Sequence, residues 1–161
     1  MSGRSKRLST SEASSPARDS RSPRRIRSSS AKRLREVLTW FWHDLSHLIA
    51  ALGRGDLWWA QGQIEQLRRD CVNLVRIRHG VDAQEEAYEK LTKAIPVAEL
   101  SQLQPTFCTL DRQEMLHAAH AIVAFFREHA PRVAESKGCT YPSELARSMS
   151  GRLEELTREL G

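Results

Sequence analysis

Residues 41–74 constrain the fold of this chain more than any other segment. Large apolar residues recur there every three or four positions, on both sides of a Gly-Arg-Gly-Asp sequence at residues 53–56. Such spacing puts the apolar side chains on one face of a helix. Glycine commonly ends a helix and aspartate commonly caps the next one. The pattern predicts two amphipathic helices, at about residues 31–52 and 57–78, joined by a tight hinge.

Aromatic residues are concentrated around this hinge. All four tryptophans of the chain lie within residues 40–59, and Phe41 stands among them. Tryptophan and phenylalanine bury large areas and dominate the energetics of cores and interfaces. The cluster therefore predicts that a core corner, an interface or a ligand-binding wall is built at this point.

The rest of the sequence predicts three more helices, at about residues 82–95, 111–136 and 143–160. We expect Tyr88, Leu91 and Ile95 to be buried in the first of these, and Leu145 in the last. Pro131 should kink or shorten the middle one. No strand pattern competes. The predicted fold is all-α: a single up-and-down bundle of about five helices with a disordered basic N-terminal tail.

The predicted tail covers residues 1–30, and the bundle covers residues 31–161. The tail is rich in Ser and Arg and has too few large apolar residues to offset the entropy of ordering it. Residues 1–35 carry 11 Lys and Arg against two acids, whereas residues 36–161 carry 14 against 18. The net charges of +9 and −4 sum to the +5 of the chain. We therefore expect contact with nucleic acid only through the tail, if at all.

Two further observations predict the cellular location and whether the chain contacts a membrane. Three widely spaced cysteines are too few for a disulfide framework, and they favour a reducing cytoplasmic location. No apolar run approaches the ~20 residues that span a bilayer. We expect a cytoplasmic protein with no membrane partner.

Residues 54–58, Arg-Gly-Asp-Leu-Trp, and the Leu-Arg pair at 67–68 carry a family resemblance. Over residues 36–80 the chain resembles the opening of the helical C-terminal domain of aminoglycoside and lincosamide nucleotidyltransferases, a bundle related to the HEPN helical domains. In that family the domain closes over the active site and contributes polar and aromatic contacts to the acceptor. The resemblance implies that the residues facing a ligand or partner are Trp40, His43, Asp44, His47 and Trp58, without a catalytic role for any of them.

The sequence lacks the motif that nucleotide transfer requires. A nucleotidyltransferase needs a Gly-Ser turn and paired carboxylates, usually Asp-x-Asp, to hold Mg²⁺ against the triphosphate. The sequence contains neither Asp-x-Asp nor Asp-x-Glu. We expect a non-catalytic accessory domain, stand-alone or truncated, with no cofactor. Its expected partner is a catalytic nucleotidyltransferase domain or chain, with a homodimer as a further option.

His43 and His47 flank Asp44 with the spacing of the paired zinc ligands in metalloproteases. Aspartate is one carbon shorter than the glutamate that acts as the base there, and no third ligand follows. Both histidines lie about 160° around the helix from Leu45, the centre of the buried stripe. We therefore predict an exposed or interface pair and no metal site.

Two other functions fit the same residues. One is a HEPN-like interaction module that pairs with a separate minimal nucleotidyltransferase, as in toxin–antitoxin couples. Arg112 and His117 have the spacing of the HEPN ribonuclease motif, although chance explains one or two such pairs in a chain this rich in arginine. The other is an RNA-associated protein that acts through its Ser/Arg tail.

Overall fold

The helices of this chain account for nearly all of its described structure. The computed structural model describes residues 23–81 and 88–161, with side chains from Ser30 onward. These residues form helices and turns and contain no strand, so the all-α prediction is confirmed. The helices are α1 (Pro23–Arg54), α2 (Leu57–Arg78), α3 (Leu91–Ala94), α4 (Val97–Leu103), α5 (Arg112–Ser136) and α6 (Ser143–Leu160), with a 3-10 turn at Gln104–Thr106.

The hinge between α1 and α2 is a tight turn that depends on Gly55. Its φ of 72° lies in the left-handed region, which glycine adopts without strain. A Cβ on Gly55 would also collide with the guanidinium of Arg112 at the start of α5. Asp56 then caps α2, because its side chain accepts a hydrogen bond of 3.1 Å from the Trp59 backbone N–H. The predicted hinge and cap are both present, and they make α1 and α2 antiparallel neighbours.

The first helix is longer than predicted. It begins at Pro23, eight residues before the predicted boundary at residue 31. Proline suits the first helical position, where its missing N–H is not needed. Once a helix is nucleated, each added residue gains a hydrogen bond. The helix therefore starts before residue 31. Residues 1–22 of the predicted tail lie outside the described residues, and the division into a tail and a bundle stays a prediction.

The predicted helix over residues 82–95 is only partly formed in its described part, residues 88–95. Residues 82–87 lie outside the described residues, and α3 supplies only four helical residues after them. Lys90 has a φ of 54°, which a continuous helix cannot contain. Tyr88, predicted to be buried, is exposed, and its hydroxyl donates a hydrogen bond of 2.9 Å to Glu65 on α2. Only Ile95 of the expected inward residues is fully buried.

The last two helices follow the prediction with two differences. α5 runs on through Pro131 to Ser136, close to its predicted bounds, so Pro131 does not shorten the helix. Asp111 caps this helix by accepting hydrogen bonds from the backbone of the next turn. On α6, Leu145 was predicted to be buried and is 43% exposed. The next residue, Ala146, is buried together with Met149 and Leu153, so the buried stripe of α6 runs beside Leu145.

Aromatic rings join α1 to α5 at the centre of the bundle. Phe41 stacks on Phe126 with ring centroids 3.6 Å apart, and Trp42 meets both rings edge-on at 5.0 and 5.8 Å. All three side chains are buried. The predicted aromatic cluster thus contributes Phe41 and Trp42 to the core, whereas Trp40 and Trp58 remain exposed.

A buried arginine on α2 holds the connector between α4 and α5, residues 104–111. Arg68 donates hydrogen bonds to the hydroxyl and the carbonyl of Thr106, at 3.0 and 2.7 Å, and its guanidinium lies 4.0 Å from the ring centre of Phe107. These contacts leave the opposite side of α2 free to form a surface with α1. No helix in the described ranges is both long and apolar enough to cross a membrane.

Candidate functional site

The antiparallel pairing of α1 and α2 aligns two rows of polar and aromatic side chains on the outside of the bundle. On α2 the row repeats every three or four residues, which is one line along a helix. On α1 it contains most of the residues that the sequence resemblance singled out. We call this surface the α1–α2 face, and it consists of Trp40, His43, Asp44 and His47 on α1 with Trp59, Gln63, Gln66 and Asp70 on α2.

A continuous chain of rings crosses this face. The Trp40 and His43 rings meet at 5.3 Å, those of His43 and His47 at 4.6 Å, and those of His47 and Trp59 at 5.8 Å. The Nε2 atoms of the two imidazoles are 3.1 Å apart, so one donates a hydrogen bond and the other accepts it. His43 is exposed and His47 is half-buried, in keeping with the helical phase predicted from sequence.

Trp59 occupies the place on this face that the sequence resemblance gave to Trp58. Consecutive residues point about 100° apart around a helix, and it is Trp59 that meets His47. The guanidinium of Arg54 also lies over the Trp59 ring, 5.9 Å from its centre. Trp58 is 79% exposed and shares a side of α2 with Gln61, which contacts Cys108 of the connector. The structure therefore does not bring Trp58 together with the other four predicted residues.

Two carboxyl groups lie on the α1–α2 face. Asp70 is 5% exposed. Burial, reinforced by the nearby Asp44 carboxylate, raises the pKa of Asp70 to about 7. Burial also raises the pKa of Asp44, while the adjacent His43 and His47 act to lower it. At neutral pH the face thus holds one carboxyl group that is poised between its two charge states.

The same row of α2 contains hydrogen-bond acceptors that have no donor. The Oδ2 atom of Asp70 and the Oε1 atom of Gln63 are buried and accept no hydrogen bond within the described part of the chain. The other Asp70 oxygen accepts a long hydrogen bond of 3.4 Å from Gln66. Buried acceptors are nearly always paired in proteins. This part of the face is therefore suited to a ligand that donates hydrogen bonds.

Sequence reasoning missed Trp59, Gln63 and Asp70. A signal for them exists in the spacing of α2, since residues 59, 63, 66 and 70 follow one line along the helix. That line becomes a site only when its partner on α1 is known. Aspartate within a mostly polar stretch otherwise indicates a solvated position.

Arg112 and His117, the ribonuclease alternative, both lie on α5, five residues apart, and their role in RNA cleavage stays a prediction. Arg112 lies against Gly55 at the hinge, whereas His117 is exposed on α5. Among residues 30–81 and 88–161, no group of three or more His, Cys, Asp or Glu side chains is arranged to hold a metal ion.

Comparison with known proteins supports the family resemblance. The family model for streptomycin adenylyltransferase matches residues 13–156. The fold is similar to the crystal structure of an aminoglycoside 6-adenyltransferase from Bacillus subtilis, with a TM-score of 0.72 and 16% sequence identity. That match covers 79% of this chain and 50% of the other, so the chain spans about half the length of that enzyme. No curated protein matches the chain.

Proposed function

Because the chain belongs to the streptomycin adenylyltransferase family, we propose that it is the helical, substrate-side half of an adenylyltransferase and does not transfer nucleotide by itself. The absence of an Asp-x-Asp or Asp-x-Glu pair from the sequence supports the second part of this proposal. Phosphoryl and nucleotidyl transfer at a magnesium site require such paired oxygen ligands.

The α1–α2 face is the observation that carries the substrate-side role. It combines exposed rings, a pair of imidazoles and buried acceptors without donors among the described residues. Apolar or aromatic walls with a few polar groups are typical of small-molecule sites. In the proposed role, Trp40, His43, Asp44 and His47 face the acceptor, and Trp59 replaces Trp58 beside them.

The proposed partner is a catalytic nucleotidyltransferase domain or chain. The similar enzyme has as much chain outside the match as within it, since the match covers 50% of that chain. A separate minimal nucleotidyltransferase is the alternative source of the catalytic half, and the relation of the bundle to HEPN domains belongs to that alternative. Nucleic-acid contact is proposed only for the basic tail.

The indole N–H signals of the four tryptophans can report where an acceptor binds. We expect millimolar streptomycin to shift the indole N–H signals of Trp40 and Trp59 in a ¹H–¹⁵N NMR spectrum of the full chain. The signals of buried Trp42 and of Trp58 should stay in place, because neither ring lies on the α1–α2 face. Replacing each tryptophan in turn by phenylalanine assigns the four signals.

His47→Gln serves as the matched test of location. It should weaken the response of Trp59, because His47 lies between the two responding rings. Replacing exposed His117 on α5 by glutamine should leave the response unchanged. Shifts confined to Trp58, or no shift at any tryptophan, would contradict the proposed acceptor surface.

A further inference from the structure

The Asp70 carboxyl group is the most deeply placed polar group of the α1–α2 face. It is 5% exposed, and its Oδ2 atom has no hydrogen-bond donor among the described residues. Gln66 provides the donor to the other oxygen, at 3.4 Å, which is beyond the usual range of strong hydrogen bonds. Gln66 is itself exposed. The Asp70 carboxyl group thus has unused acceptor capacity next to an exposed amide.

Two more acceptors of the α1–α2 face also have no hydrogen-bond donor among the described residues. The Oε1 atom of Gln63 is buried and unpaired, two helical turns before Asp70 on the same line of α2. Asp44, across the interface on α1, accepts no hydrogen bond within the described part of the chain. The Gln63 amide also carries N–H donors. The carboxyl and amide oxygens of the three side chains present acceptors, and the ionised carboxylates add negative charge. Their complement is a group that carries positive charge and several N–H donors.

An amino or guanidino group fits this description better than a metal ion. The described residues hold no cluster of three or more ligands for a metal, whereas ammonium and guanidinium groups offer three to five N–H donors. The face already accommodates one guanidinium, because Arg54 lies over the ring of Trp59 at 5.9 Å. Trp40, 56% exposed, provides a second ring for a cation.

We propose that Asp70 is a specificity-determining residue, which binds one amino or guanidino group of the ligand and releases a proton as it does so. In this step the neutral carboxyl group gives its proton to water, and the resulting carboxylate accepts N–H donors from the cation. The inference deepens the proposed function and rests on it for the location of the ligand. It adds which residue selects the cationic group and how pH controls binding.

The surrounding charges favour the exchange of a proton for a cation. Burial and the Asp44 carboxylate raise the pKa of Asp70 to about 7, whereas Gln66 and Arg69 act to lower it. His43 and His47 lie next to Asp44 on α1 and act to lower its pKa. A bound cation replaces the proton as the group that neutralises Asp70.

Methylguanidinium and its neutral isostere methylurea test the proposal on the full chain. We expect methylguanidinium to lower the pH midpoint of the Asp70 carboxyl ¹³C NMR signal, whereas methylurea should leave it unchanged. In a His43→Gln, His47→Gln background, methylguanidinium should bind about tenfold more weakly at pH 6 than at pH 8, because the fraction of ionised Asp70 falls by that factor. Using this background removes the imidazoles from the pH dependence.

Asp70→Asn provides the decisive variant, and Glu154→Gln on the exposed side of α6 is its control. Asp70→Asn should weaken methylguanidinium binding at pH 8 by about tenfold or more and abolish its pH dependence. Equal binding by Asp70→Asn, or an equal effect of methylurea, would overturn the inference. If streptomycin still shifted the signals of Trp40 and Trp59 in that case, the proposed acceptor surface would stand without a role for Asp70.

Discussion

Replacing Phe126 with alanine is expected to lower the free energy of unfolding by about 3–5 kcal/mol, the usual cost of truncating a fully buried phenylalanine. The ring stacks on Phe41 at 3.6 Å and meets Trp42 edge-on, so its removal takes the central contact out of the α1–α5 interface. A cavity of this size among rigid aromatic rings closes only in part. Urea unfolding followed by circular dichroism measures the change.

Phe107→Ala is the matched control for this substitution. Phe107 is 63% exposed and contacts Arg68 through the face of its ring, so its truncation should cost less than about 1 kcal/mol. Similar losses for the two variants would show that the bundle is not organised around the Phe41–Phe126 stack.

Asp70→Asn is expected to stabilise the chain at pH 8 by about 2–4 kcal/mol, and the gain should fade toward pH 4. The folded pKa of Asp70, about 7, lies above its ordinary value of 3.8. Between these two pH values the folded state keeps a proton that the unfolded state has lost. Stability from this group therefore falls as the pH rises from about 4 to about 7, and the penalty is complete above that range.

The measurement is the difference in unfolding free energy between Asp70→Asn and the unmodified chain, taken from urea titrations at several pH values. Taking the difference cancels the titration of all other groups. Glu154→Gln, at an exposed position, should give a flat difference near zero. A loss of stability in Asp70→Asn at pH 8 would mean that the Asp70 carboxylate is satisfied by a partner in the folded chain.

Local sequence signals were sufficient for the α1–α2 hairpin. The apolar spacing of both helices, the glycine hinge between them and the Asp56 cap act over a few residues, and each is present as predicted. The prediction of a helix around Tyr88 failed because local signals were not sufficient there. Its hydroxyl reaches Glu65 on α2, and Lys90 adopts a left-handed conformation. Contacts between distant residues thus decided a segment whose local pattern favoured a helix.

In the candidate site, too, some residues could be predicted from local spacing and others could not. His43 and His47 belong to one helix, so their common face follows from their spacing alone. Whether Trp58 or Trp59 joins them depends on the register between two helices, which periodicity within either helix does not specify. The prediction of Asp70 required the same information, because Asp70 is buried and Asp44 on the neighbouring helix acts on its pKa. Interhelical register is what the structure adds to the sequence.

Adenylyl transfer from radiolabelled ATP to streptomycin, with Mg²⁺ present, tests the central claim most directly. The purified chain is expected to form no labelled streptomycin above the protein-free blank, because its sequence lacks the paired carboxylates of a magnesium site. An intact streptomycin adenylyltransferase confirms that the assay works. Labelled streptomycin that increases with the concentration of the lone chain would contradict the account.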